Sequence, residues 1–142
     1  MIKYLRSCVS FQELKKEISL VIETTNCPYR CKGCHSPELQ QDIGAPLTTE
    51  ALDSLIFRNS IDKKPLFTCI LFMGGEQHEE FKGLIDYIKN NYELKTALFT
   101  GAEEVRDDIK SLLNYAKTGR YIESLGGLES SITNQKLVEL RS

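Results

Sequence analysis

Short apolar runs and amphipathic stripes alternate along this chain. Ile18-Ser19-Leu20-Val21-Ile22 is a β-branched run of strand length, and residues 66–73 are nearly continuously apolar, as in a strand covered on both faces. Residues 96–99 read as a third strand and residues 115–117 as the opening of a fourth. Helical stripes lie between them. The first begins near Thr48-Thr49-Glu50, where a threonine can accept from the free amides of a first turn, and buries Ala51, Leu52, Leu55 and Ile56. Phe81, Leu84, Ile85 and Ile88 fall at i, i+3, i+4 and i+7, in a helix ending near Asn90-Asn91. Val105, Ile109, Leu112 and Leu113 predict another.

The remaining segments are less regular. Tyr4, Leu5 and Val9 suggest an extended piece covering a sheet edge, before a polar turn over residues 12–16. Residues 35–47 lack periodicity and carry Pro37, Gly44 and Pro46, so they predict a long loop, uncommon at that length unless functional. Strands alternating with helices imply a parallel sheet with right-handed crossovers. A complete eight-unit barrel takes about 250 residues, and this chain has 142. The expectation is one α/β domain over residues 1–142, an incomplete TIM-like (β/α) barrel with an N-terminal extension (1–16) and a distinct C-terminal segment (115–142).

Composition narrows the function. Hydrophobic residues at 41% and charged residues at 27% predict a packed core rather than disorder. A net charge of −2 leaves no electrostatic footprint for nucleic acid, and pairs such as Lys15-Lys16 read as solvated surface. No apolar run reaches membrane-span length, and Met1-Ile2-Lys3-Tyr4 does not open a signal peptide, so a cytoplasmic protein is expected. Of five cysteines, three are clustered; Cys8 and Cys69 sit in apolar surroundings and are expected to be small buried hydrophobes.

The clustered thiols define the candidate chemistry. Cys27, Cys31 and Cys34 are spaced C-x3-C-x2-C immediately after the first strand. Thiolates favour zinc, copper(I) or iron–sulfur clusters. A cubic [4Fe–4S] cluster normally takes four cysteines, so three would leave one iron open to a ligand. The alternative is a structural zinc site with His35 as fourth ligand, although adjacent Cys34 and His35 would strain a closed tetrahedron. Gly74-Gly75-Glu76 ends the second strand; glycines there would let a ligand's ammonium group reach the strand-end backbone with Glu76 as countercharge. A plain strand-to-helix turn is the alternative. Thr100-Gly101, at the end of the third strand, can line the same rim or simply cap a helix. Ligands of such sheets gather at the carboxyl ends of strands, where all three features fall.

The spacing and its surroundings resemble the radical S-adenosylmethionine (SAM) enzymes. More narrowly, Cys31-Lys32-Gly33-Cys34-His35-Ser36-Pro37-Glu38 resembles the cluster loop of anaerobic ribonucleoside-triphosphate reductase activating proteins, the activases of class III ribonucleotide reductase. Lys117-Thr118-Gly119-Arg120-Tyr121, Leu125-Gly126-Gly127-Leu128 and Thr133-Asn134-Gln135 are similar to that family's C-terminal segment.

That resemblance implies a partial barrel of the radical SAM type, with Cys27, Cys31 and Cys34 ligating a [4Fe–4S] cluster. Gly74, Gly75 and Glu76 would receive the amino group of S-adenosylmethionine, with Thr100 on the same rim. A reduced flavodoxin-like donor would supply the electron that splits S-adenosylmethionine into methionine and a 5′-deoxyadenosyl radical. That radical would take a hydrogen from a glycine of the large reductase subunit, leaving a glycyl radical. Residues 119–135 would lie beside the site or at the partner surface, or else form a structural wrap. Two other functions stand beside this one: a radical SAM enzyme acting on a small molecule, as deazaguanine synthases do, and a non-enzymatic iron–sulfur or zinc module.

Overall fold

The computed structural model describes residues 1–29, 36–120, 122–128 and 130–141. Strand β1 (Lys3–Ser10) leads through a turn into β2 (Ser19–Thr24). A 3-10 turn (Pro37–Gln40) and the short β3 (Ala45–Pro46) precede helix α1 (Thr49–Arg58). A small hairpin of β4 (Ser60–Ile61) and β5 (Lys64–Pro65) follows, then β6 (Cys69–Met73), α2 (Glu80–Asn91) and β7 (Lys95–Phe99). A single helical turn, α3 (Asp107–Lys110), β8 (Tyr115–Thr118) and β9 (Lys136–Glu139) complete the chain.

Seven strands form one open sheet in the order β3-β1-β2-β6-β7-β8-β9. The central four, β2, β6, β7 and β8, are parallel. The outer strands β3, β1 and β9 run antiparallel to their neighbours, so the sheet is mixed where the alternation of strands and helices predicts parallel pairing. β1 and β9 reach their partners through loops rather than through crossover helices, which is why they run against them. Among the described residues the outermost strands β3 and β9 do not pair with each other, so the sheet does not close.

Side chains alternate between two faces. Leu20, Ile22, Ile70, Phe72, Leu98 and Ala116 face the helices and pack on Leu52, Leu55 and Ile56 of α1 and on Phe81, Leu84, Ile85 and Ile88 of α2. Phe72 and Phe81 meet edge to face with centroids 5.2 Å apart. The other face carries Val21, Cys69, Leu71, Ala97, Phe99 and Tyr115, with Leu14 packed on it and no described helix in its cluster. There Glu17 joins the N-terminal turn to the sheet: it accepts from Thr68 at 2.7 Å, Lys95 at 2.9 Å and Tyr115 at 2.7 Å.

Several elements depart from expectation. The third helical stripe yields only one turn, because Leu112 and Leu113 continue into the turn that feeds β8. The β4–β5 hairpin turns on Asp62 and Lys63, both with positive φ, without the Asn-Gly or Asp-Gly pair that usually announces such a turn. Cys69 is fully buried as expected, whereas Cys8 is exposed: β1 lies near the sheet margin, and no described element covers its thiol. Helix α1 starts as read, with Thr48 Oγ1 accepting from Ala51 N–H at 3.1 Å.

Candidate functional site

The carboxyl end of β2 delivers the cysteine segment. Thr24 donates its hydroxyl to the Met73 carbonyl at 2.6 Å, which ties the strand end to β6. Asn26 takes a left-handed φ of 58° and turns the chain off the sheet. Its N–H donates to the Gln41 carbonyl, and the Cys27 N–H to the Leu39 carbonyl, both at 2.9 Å. Gln77 Nε2 reaches the Asn26 carbonyl at 3.3 Å, so the residue after Glu76 also holds this turn. Cys27 is half-buried and carries a free thiol. Cys31, Cys34 and His35, with Arg30 and Lys32, lie outside the described residues.

The end of β6 carries Gly74 and Gly75 at φ of +81° and +105°. L-residues rarely adopt this region. A Cβ on Gly75 would also lie 3.2 Å from Thr24 Cγ2 and 3.3 Å from the Phe81 ring. The double turn swings Glu76 across to β7, where Glu76 Oε1 accepts the Thr100 hydroxyl at 2.7 Å. Glu76 Oε2 is buried and has no hydrogen-bond partner among the described residues. Burial pushes the Glu76 carboxyl above the usual carboxylate range, although the Thr100 bond pulls the other way. An unsatisfied buried group of this kind costs about 1–3 kcal/mol. A cationic donor arriving at Oε2 would offset it.

Thr100 is itself fully engaged. Its N–H donates to the Lys117 carbonyl at 2.9 Å, and its hydroxyl accepts from Ala102 N–H at 3.0 Å while donating to Glu76. Its hydroxyl is therefore committed to Glu76 and to the Ala102 backbone. Gly101 meets the cysteine segment: a Cβ there would lie 2.7 Å from Tyr29 Cδ2. Arg120 Nη2 donates to the Tyr29 carbonyl at 2.8 Å, and Gln135 Nε2 to the Gly119 carbonyl at 3.1 Å, so the C-terminal segment lies beside the site.

Sequence reading did not single out the contact that Lys117 makes across the sheet. Lys117 lies on the same sheet face as Tyr115, and its Nζ is 4.7 Å from the centroid of the Phe99 ring. In the sequence it stood out only as the first residue of Lys117-Thr118-Gly119-Arg120-Tyr121.

A half-buried free thiol, a glycine-turned carboxylate with an unpaired oxygen and a strand-end lysine therefore occupy one rim of an open α/β sheet. The chain matches the 4Fe-4S single cluster domain over residues 18–135, and it belongs to that family. That match spans Cys27, Cys31 and Cys34 and extends through Gly74, Gly75, Glu76 and Thr100 to Gln135. The free Cys27 thiol at a strand end suits the thiolate chemistry of such a cluster. No curated protein and no solved structure matches the chain. No helix among the described residues is long and apolar enough to cross a membrane.

Proposed function

We propose that this iron–sulfur protein is a radical SAM activase that generates a glycyl radical on anaerobic ribonucleoside-triphosphate reductase. Cys27, Cys31 and Cys34 would ligate three irons of the [4Fe–4S] cluster and leave the fourth for S-adenosylmethionine. When bound, the cluster supplies the single electron, drawn from a reduced flavodoxin-like donor, that breaks a sulfur–carbon bond of S-adenosylmethionine into methionine and a 5′-deoxyadenosyl radical. The chain's own part is binding, orientation and exclusion of water.

The observation that carries this reading is the Glu76 carboxylate. One oxygen is held by Thr100, and the other is buried without a described partner, at the carboxyl end of the strand next to the one that delivers the cysteines. A ligand ammonium would complete it with a charge-assisted bond, about twice as strong as a neutral one. Gly74 and Gly75 give that ammonium access to the strand-end backbone. The helix-free face, read as the inner wall of a partial barrel, leaves room for a folded partner to bring its glycine loop and close the site.

The test is anaerobic. The protein is reconstituted with iron and sulfide and reduced, and its electron paramagnetic resonance spectrum is recorded with and without S-adenosylmethionine. A [4Fe–4S] signal that shifts on addition, with 5′-deoxyadenosine as product, supports the radical chemistry. A glycyl radical appearing on the added reductase supports the partner. Iron that ignores S-adenosylmethionine would leave an electron carrier, and 5′-deoxyadenosine without any glycyl radical would leave an enzyme of small molecules.

A further inference from the structure

All three clustered cysteines lie between Glu23, in β2, and Glu38, in the 3-10 turn that follows them in the chain. Arg6 of β1 holds both carboxylates. Its Nε donates to Glu23 Oε2 and its Nη2 to Glu38 Oε1, each at 2.5 Å. Arg6 and Glu23 are register partners across β1 and β2, so their pairing follows from the sheet. The pairing with Glu38 does not: these residues are 32 apart in the chain, and they meet because the segment after the cysteines returns to β1.

That return segment is the long aperiodic loop, and it runs beside the cysteine segment. Thr25 Oγ1 donates to the Ile43 carbonyl at 2.6 Å, Asn26 N–H to the Gln41 carbonyl and Cys27 N–H to the Leu39 carbonyl, both at 2.9 Å. Successive donors thus meet acceptors in descending order, as two antiparallel segments do. β1 grips the same segment a second time, through Lys3 Nζ to Asp42 Oδ1 at 3.1 Å. A guanidinium presents its donors in a rigid fork, which suits it to hold two carboxylates at a set separation; an ammonium is a point charge and does this less well.

We infer that Arg6 is a positioning residue for the cluster: its fork ties the strand that delivers Cys27 to the turn that follows Cys34, and so organises the cysteine segment before iron arrives. A segment whose ends are already joined loses less chain entropy when its thiolates gather on one cluster. The inference rests on the cluster that the family carries and not on S-adenosylmethionine, so it and the function proposed above can fail separately. The Arg6 side chain is half-exposed, so salt screens both of its ion pairs.

The test measures iron release from the reconstituted protein to bipyridyl, an uncharged chelator, at low and high salt and without S-adenosylmethionine. Melting curves of the cluster-free chain are the folding control. Glu38→Gln leaves the pair between β1 and β2 intact, and is expected to speed release about 2- to 10-fold with an unchanged melt. Arg6→Met should release at least as fast, and Arg6→Lys should recover part of the loss. Combining Arg6→Met with Glu38→Gln should add nothing to Arg6→Met alone, since both remove one interaction. Salt should speed release from the wild type more than from Glu38→Gln. Fast release from Arg6→Met beside a wild-type rate from Glu38→Gln would make Arg6 only a staple between β1 and β2, and would overturn the inference. So would release from the wild type that salt leaves unchanged, a measurement that needs no variant to fold. A wild-type chain that takes up no iron sinks the inference and the proposed function together, whereas iron that ignores S-adenosylmethionine sinks the function alone.

Discussion

Thr100 donates its hydroxyl to Glu76 Oε1 at 2.7 Å, and so fixes a carboxylate whose other oxygen is buried without a described partner. The carboxyl is held above its ordinary range, chiefly by burial. The folded chain therefore binds this proton more readily than the unfolded chain does. Its contribution to stability is present below the ordinary value of 4.5 and is lost as pH rises through the raised folded value. Glu76→Gln should consequently stabilise the ligand-free protein at neutral pH by about 1 kcal/mol, and the gain should vanish at low pH. The same variant should lose S-adenosylmethionine binding. Thermal melts across pH, beside equilibrium dialysis, check both; a variant less stable than wild type at neutral pH would contradict the account of Oε2.

Glu17 should behave with the opposite sign. Only 6% exposed, it accepts from Thr68, Lys95 and Tyr115. Burial pushes its carboxyl up, but those three donors outweigh it and hold the group below the usual range. Its stabilisation is therefore present above the ordinary value of 4.5 and is lost as pH falls through the lower folded value. Glu17→Gln is expected to cost about 1.5–3 kcal/mol at neutral pH, as for a charged hydrogen bond, and less as the solution is acidified. Denaturant melts at neutral and acid pH measure the difference. A cost independent of pH would place the Glu17 contribution in packing instead.

Cys27→Ala separates cluster assembly from folding. The Cys27 N–H holds the Leu39 carbonyl at 2.9 Å, a backbone bond that survives the substitution, and the thiol forms no disulfide. Loss of iron and sulfide on reconstitution is expected, with the stability of the cluster-free chain within about 1 kcal/mol of wild type. Iron and sulfide analysis beside a thermal melt settles it. Retention of a full complement of iron would remove Cys27 from the ligand set.

The regular core was legible because burial imposes a period. The i, i+3, i+4, i+7 stripe of Phe81, Leu84, Ile85 and Ile88 is the buried face of α2, and Thr48 caps α1. Outer strands carry no such pattern. All four residues of β9 are exposed, so no alternation marked it. The hairpin at Asp62 and Lys63 carries one residue that tolerates positive φ, Asp62, but no glycine beside it, so the local signal was weak. Glu76 was legible from its glycines. The contact of Lys117 with Phe99 was not, because it runs across the strand register. A linear sequence does not display that relation.

The tail makes the last case. Arg120 Nη2 holds the Tyr29 carbonyl at 2.8 Å, while Asn134 Nδ2 holds the Arg120 carbonyl and Gln135 Nε2 the Gly119 carbonyl, each at 3.1 Å. Gly119, at φ +98°, allows that approach, since a Cβ there would lie 3.0 Å from the Asn134 carbonyl oxygen. Tyr29 stands midway between Cys27 and Cys31, so this chain of bonds makes the C-terminal segment a clasp on the cysteine segment. Arg120 is exposed, and Arg120→Ala should leave global stability within about 0.5 kcal/mol. It should nonetheless speed iron release to a chelator about 2- to 10-fold, the effect of losing one solvent-exposed hydrogen bond. Gly101→Ala, which drives a methyl group against the Tyr29 ring, should do the same from the other side. Chelator-release rates for both variants, with melting curves as the folding control, measure the effect. If both release iron at the wild-type rate, residues 119–135 only wrap the sheet, and the clasp has no part in holding the cluster.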